Sequence, residues 1–167
     1  MREYGQVRDF HRKHGFPENQ DLVPQEGVVS AANDALYGMA AALRTLASED
    51  MDVSLTYQEK GDERLYRMAL LIEEVGELAG ALKRGSTTEL ADALGDLMYV
   101  VVGTAVTYGI PIREVFEEIH RSNMTKKPRD PENDPRMRQK GRDYEPPRLM
   151  VAIEAGRAAL RREGLLS

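Results

Sequence analysis

An all-α fold, a helical bundle built on an antiparallel helix hairpin, is predicted by three features of the sequence. Apolar residues recur every three or four positions through most of the chain. Glycines and prolines stand where those periodic stretches stop. No stretch of any length shows the strict alternation of a half-buried strand. With 167 residues, 41% of them hydrophobic and 31% charged, one compact soluble domain over 1–167 is expected.

Tyr4, Val7, Phe10 and His14 repeat at helical spacing, and Gly15 marks a stop. Residues 16–27 carry two prolines and read as a loop. Val29, Ala32, Leu36, Met39, Leu43 and Leu46 form another amphipathic stripe, followed by a polar, acidic connection over 48–61. Leu65, Met68, Ile72, Val75, Ala79 and Leu82 then predict a helix over about 62–84 with a packed seam, ended by Gly85. Ser86-Thr87-Thr88-Glu89 has the form of a capping box that starts the next helix, running to about Tyr108. Pro111 suits the first turn of a helix ending near Asn123. Residues 126–148 hold five prolines and form the longest break. Leu149, Ile153, Gly156 and Leu160 predict a last helix, closed by Gly164.

Composition narrows the function. The net charge of -5 argues against a general binder of polymeric nucleic acid, and no helix has the basic face of a recognition helix. Without cysteine there is no disulfide framework, no thiolate zinc site and no cysteine nucleophile. The charged start, Met1-Arg2-Glu3-Tyr4, does not resemble a signal peptide, and the longest apolar run, Leu97 to Val102, is too short to cross a bilayer. A cytoplasmic protein with no membrane partner is expected.

Two carboxylate stripes carry the chemical reading. Around the helix that begins near Ser86, Leu90, Leu94, Leu97, Met98, Val101, Val102, Ala105 and Val106 cover most of the circumference, as in a core helix. Glu89, Asp92, Asp96 and then Tyr99 interrupt that surface along one stripe. An unpaired carboxylate against a core costs several kcal/mol unless it is paired, protonated or bound to a metal. The preceding helix offers no cations on a matching face but more acid: Glu73, Glu74 and Glu77 share roughly one side at i, i+3 and i, i+4 spacing. The short turn over 83–88 folds the two helices into an antiparallel hairpin and can bring Glu74 and Glu77 opposite Asp92 and Asp96. Such acids repel unless hard cations lie between them, and oxygen-only ligands point to Mg2+, with Mn2+ able to substitute. The plainer readings are a solvated acidic face for Glu73, Glu74 and Glu77, and a capping role for Glu89.

The run Glu73-Glu74-Val75-Gly76-Glu77, followed by Glu89-Leu90-Ala91-Asp92-Ala93-Leu94-Gly95-Asp96-Leu97-Met98-Tyr99-Val100, resembles the MazG-like all-α NTP pyrophosphatases, marked by EExxE on one helix and ExxD on the next. His120-Arg121-Ser122-Asn123-Met124-Thr125-Lys126 and Lys140-Gly141-Arg142-Asp143-Tyr144-Glu145-Pro146-Pro147 are similar to a branch with phosphoribosyl-ATP pyrophosphohydrolase-like, dUTPase-like and phage purine-dNTP members. The resemblance covers about residues 66–148, with a weaker match over 7–15. The ExxD motif can be laid on Glu89 to Asp92 or on Ala93 to Asp96; the second places Ala93 where glutamate is usual. Asp92 and Asp96 are therefore the preferred ligands and Glu89 a lesser one. The stretch 28–61 departs from the family as an extra helix and loop.

Together these imply metal-assisted hydrolysis of a (d)NTP to monophosphate and pyrophosphate, with dUTP or a purine dNTP such as dGTP as substrate. Glu74, Glu77, Asp92 and Asp96 would hold the metal, and Glu73 would act as general base. Tyr99, Arg121, Asn123, Lys126 and Tyr144 would bind substrate, Arg121 and Lys126 through phosphate. The plain reading of Arg121 and Lys126 is a basic helix end that complements the dipole. Residues 126–148 carry eight Lys or Arg against five acids, so this basic segment is either an exposed loop or a lid over a polyanion. Phosphoribosyl-ATP hydrolysis and a non-catalytic helical dimer that binds metal or a partner are the competing readings. The all-round apolar helix also predicts a homodimer or dimer of dimers.

Overall fold

The computed structural model describes residues 2–18, 38–39, 42, 63–128 and 140–166. The described helices are α1 (Arg2–His14), α2 (Glu63–Arg84), α3 (Thr87–Thr107), α4 (Ile112–Met124) and α5 (Leu149–Arg162). No strand occurs among the described residues, so the fold class is all-α as the periodicity predicts. The helix read over 29–46 lies outside the described residues except for Gly38, Met39 and Ala42, which are helical.

The chain divides into two compact units, Met1–Gln20 with Ala105–Ser167, and Asp21–Thr104. In the first, α4 packs on α5 and α1 packs on α4. Gly156 makes the α4–α5 approach possible: a Cβ placed there would lie 2.4 Å from the Pro111 ring, in front of the first residue of α4. Arg157 adds a tie by donating from Nε to the Gly109 carbonyl at 2.9 Å. Gly109 itself needs its positive φ of 57° to turn the chain out of α3.

The second unit holds the hairpin. Gly85, at φ 67°, ends α2, and the amides of Gly85 and Ser86 close back on the carbonyls of Leu82 and Ala81. Ser86 Oγ accepts from the Glu89 amide at 3.3 Å, which is one half of the expected capping box. The other half is absent because the Glu89 carboxylate pairs with Arg84 instead. The antiparallel course is fixed at the open end, where Arg67 of α2 reaches Gly103 of α3.

One expectation needs correction. A helix apolar nearly all round reads as buried, but α3 buries only Ala93 and Ala105 among its apolar residues. Leu94 is 50% exposed and Met98 64%. Nor does the α2 seam face wholly inward: Met68, Val75 and Leu82, seven residues apart, stay exposed. Among the described residues no element covers α3 on all sides. By length and composition α3 is also long and apolar enough to cross a membrane. Against that, Asp96 near its middle would cost about 2.5–3.5 kcal/mol at a bilayer centre.

The Gly156–Pro111 contact gives a stability test. Gly156→Ala gains some helix propensity but drives a methyl into a rigid ring, a net destabilisation of about 1–3 kcal/mol. Thermal unfolding of the variant should come several degrees below the parent; an unchanged or raised midpoint would show that α4 and α5 can separate freely.

Candidate functional site

The α2–α3 hairpin gathers the acidic residues that the sequence marks. Glu73, Glu74 and Glu77 lie on consecutive turns of α2, and Asp92 and Asp96 one turn apart on α3. Glu74 is where they meet. Its Oε2 is buried and has no hydrogen-bond partner. Burial first, then the charges of Glu77, Asp96, Glu73 and Asp92, push its carboxyl above the usual range. None of these five acids is in an ion pair among the described residues, whereas Arg84 is taken by Glu89 and Arg67 by Glu63.

Exposure within the group is uneven. Glu73 and Glu74 are partly covered, while Glu77, Asp92 and Asp96 stand in solvent, so the half-buried cleft expected of all four holds only for Glu74. No group of three or more Asp, Glu or His side chains among the described residues is drawn together tightly enough to enclose an ion. Tyr99, a turn beyond Asp96, is 82% exposed. Glu89 shares the stripe but is held by Arg84.

The basic residues belong to the other unit, at the end of α4. Arg121, read from the sequence as a phosphate ligand, is engaged by the protein at every guanidinium nitrogen. Nε donates to Glu118 Oε2 at 2.9 Å, Nη1 to Glu145 Oε2 at 2.6 Å, and Nη2 to Glu118 Oε1 at 2.8 Å and to the Pro146 carbonyl at 3.2 Å. The same Glu118 oxygen accepts from the Arg148 amide at 2.7 Å. The Arg121 guanidinium and then the Arg148 amide push the Glu118 carboxyl down to about 2. Arg121 thus clamps α4 to the segment leading into α5, and it is also the basic residue of the last turn of α4, where its plain reading puts it. The sequence reading missed Glu118; the available signal was its i, i+3 spacing to Arg121.

Asn123 and Lys126 are half-exposed, and their side chains have no hydrogen-bond or ion-pair partner among the described residues. Tyr144 is partly covered, with Lys140 Nζ 5.2 Å above its ring. The centre of the basic segment, 129–139, lies outside the described residues, as does any test of its service as a lid.

Residues 44–123 match the phosphoribosyl-ATP pyrophosphohydrolase family. The MazG-like resemblance therefore stands. The matched segment contains all the acids of the hairpin together with Arg121 and Asn123, and it ends before Lys126 and Tyr144. A 44-residue stretch is 46% identical to an uncharacterized protein of Acanthamoeba polyphaga mimivirus, over 26% of this chain and 18% of that protein. The match thus spans under a fifth of that relative's length. No solved structure matches the chain.

The Glu74 environment has a measurable consequence. In the metal-free protein Glu74 binds its proton more tightly folded than unfolded. Stability therefore falls as pH rises from the ordinary carboxylate value through the raised one, and is flat above it. Glu74→Gln should melt above the parent at pH 7 in chelator, the gap closing as pH falls below 4.5. A gap independent of pH, or a destabilised variant, would mean that Glu74 is satisfied in the folded chain.

Proposed function

We propose that the chain is a magnesium-dependent nucleoside triphosphate pyrophosphohydrolase. It would convert a (d)NTP to the monophosphate and pyrophosphate in nucleotide-pool control, with dUTP or a purine dNTP such as dGTP as substrate. The observation that carries this reading is the buried, unpartnered oxygen of Glu74 among four more acids, in a segment matching a pyrophosphohydrolase family.

The acids fit a hard divalent cation. Four carboxylates without an ion-pair partner among the described residues act on a fifth, Glu74, whose oxygen is buried, and carboxylates alone favour Mg2+ or Mn2+ over zinc. Glu74, Glu77, Asp92 and Asp96 would hold it, with Glu89 a lesser donor because Arg84 already occupies it. When bound, the ion neutralises charge that builds on the pyrophosphate leaving group.

The residues themselves then have separate tasks. Glu73 takes a proton from the water whose oxygen bonds to the α-phosphorus, as the bond to the bridging oxygen breaks and pyrophosphate leaves. Lys126 binds phosphate oxygens as a point charge, and Asn123 hydrogen-bonds sugar or phosphate. Tyr99 and Tyr144 offer faces to the base. Arg121 contributes by holding the α4 end rather than by touching substrate.

Both units serve a single domain in this reading, and the assembly is a homodimer or a dimer of dimers. Met68, Val75 and Leu82 on α2 and Leu94, Met98, Val101 and Val102 on α3 leave an apolar surface that a second hairpin would cover. A cytoplasmic setting and freedom from membrane and polymeric nucleic acid agree with the absence of cysteine and the acidic balance. Phosphoribosyl-ATP is the second substrate to consider, favoured by the family match and requiring the same bond cleavage.

Hydrolysis in oxygen-18 water should place the label in the nucleoside monophosphate and leave pyrophosphate unlabelled. Asp96→Asn should lower turnover by at least about 100-fold, the loss expected when charge stabilisation in the transition state is removed. Orthophosphate as product, or an undiminished Asp96→Asn variant, would refute the reaction or its ligand set.

A further inference from the structure

The best-buried side chain of any size in the described residues is a histidine that the proposed chemistry does not use. His14, the last residue of α1, is 1% exposed. Its ring packs on Phe10, one turn earlier, with centroids 4.3 Å apart. Its Nδ1 lies 3.1 Å from the Lys127 carbonyl oxygen, beyond the end of α4. A carbonyl only accepts, so Nδ1 carries the hydrogen, and in the neutral ring Nε2 is left as a lone pair. That Nε2 is buried without a partner. Burial is the main cause holding His14 below its ordinary value, with the Lys13 and Lys126 charges acting in the same direction. The Lys127 and Asn123 carbonyls oppose them.

Lys13, next in sequence, donates from Nζ to the Met124 carbonyl. Two consecutive side chains of α1 therefore cap carbonyls at and just past the end of a helix more than a hundred residues away. The last carbonyls of a helix lack partners within it and carry the negative end of its dipole. The turn is held from its other side as well. Ser122 Oγ donates to the Glu145 carbonyl at 2.7 Å, and the Glu145 amide donates to Thr125 Oγ1 at 2.8 Å. Between these clamps the side chains of Asn123 and Lys126 have no partner among the described residues.

Without these two donors the carbonyls of Met124 and Lys127, on either side of Lys126 in the sequence, would stand bare. They would draw the Lys126 ammonium back onto the backbone and repel a polyanion. We propose that His14 is a positioning residue: by capping the Lys127 carbonyl it fixes the turn over 123–127 and leaves Lys126 and Asn123 for the phosphate chain of the substrate. The proposal rests on the phosphate role given above to Lys126. It requires a donor at the Nδ1 position rather than a basic group, because the neutral ring already does the work.

The test uses the full chain and inorganic tripolyphosphate, whose binding by calorimetry does not depend on turnover. His14→Phe keeps the ring packed on Phe10 and removes the donor; His14→Asn places an amide N–H where Nδ1 stood. His14→Phe should weaken tripolyphosphate binding about tenfold and raise KM for a hydrolysed triphosphate similarly, with kcat changed less than threefold. His14→Asn should bring both back to within threefold of the parent. In the Lys126→Ala background, His14→Phe should cause almost no further loss of binding. A His14→Phe protein that melts lower but binds tripolyphosphate like the parent would overturn the proposal, leaving only a packing role. So would equal damage from His14→Asn and His14→Phe, losses that add to that of Lys126→Ala, or parental binding by Lys126→Ala alone. A parent that hydrolyses no triphosphate would sink the proposed function, while the binding comparison would still decide the role of His14.

Discussion

Mutual repulsion of carboxylates in the α2–α3 hairpin is the constraint from which the functional account proceeds. Glu74 has a buried oxygen with no donor, surrounded by Glu73, Glu77, Asp92 and Asp96, while Arg67 and Arg84 on α2 are occupied by Glu63 and Glu89. A sequence selected for stability alone would place a donor there or replace the acid by an apolar side chain, since an unsatisfied buried acceptor costs about 1–3 kcal/mol. Retained strain of this kind has a physical reason when a bound cation repays it.

Two kinds of scaffold surround this constraint. The hairpin is set by local signals: a glycine with positive φ, a serine cap, and an arginine reaching Gly103 from the facing helix. The end of α4 is set by distant ones. Arg121 joins Glu118 to Glu145, Ser122 and Thr125 bind the backbone at Glu145, and Lys13 and His14 close the turn from α1. These bonds hold a short turn from both sides, a condition for presenting a lysine in one place without folding it onto its own helix.

How much of this could be read from the sequence follows from the range of each interaction. Helix limits were legible because Gly15, Gly85, Gly109 and Gly164 each end a periodic stretch and each adopts positive φ. The acidic stripes were legible because i, i+3 and i, i+4 spacing maps directly onto a helix face. The burial of α3 was misjudged, since apolar character shows that a surface needs cover but not that its own chain provides it. The clamp around Arg121 was illegible for another reason: Glu145 lies 24 residues away, across a break rich in proline, and no periodicity reports such a contact. His14 resembled an ordinary apolar-face residue, because its partner is a backbone carbonyl 113 residues away.

The central claim, that the hairpin acids form a divalent-cation site, is tested most directly by titrating Mn2+ into the metal-free chain and reading free Mn2+ by its electron paramagnetic resonance signal. The account predicts saturable loss of the free-ion signal, competed by Mg2+ and removed by Glu74→Gln in a protein that remains folded. A free-ion signal that rises in proportion to added Mn2+, or binding that survives Glu74→Gln undiminished, would contradict it.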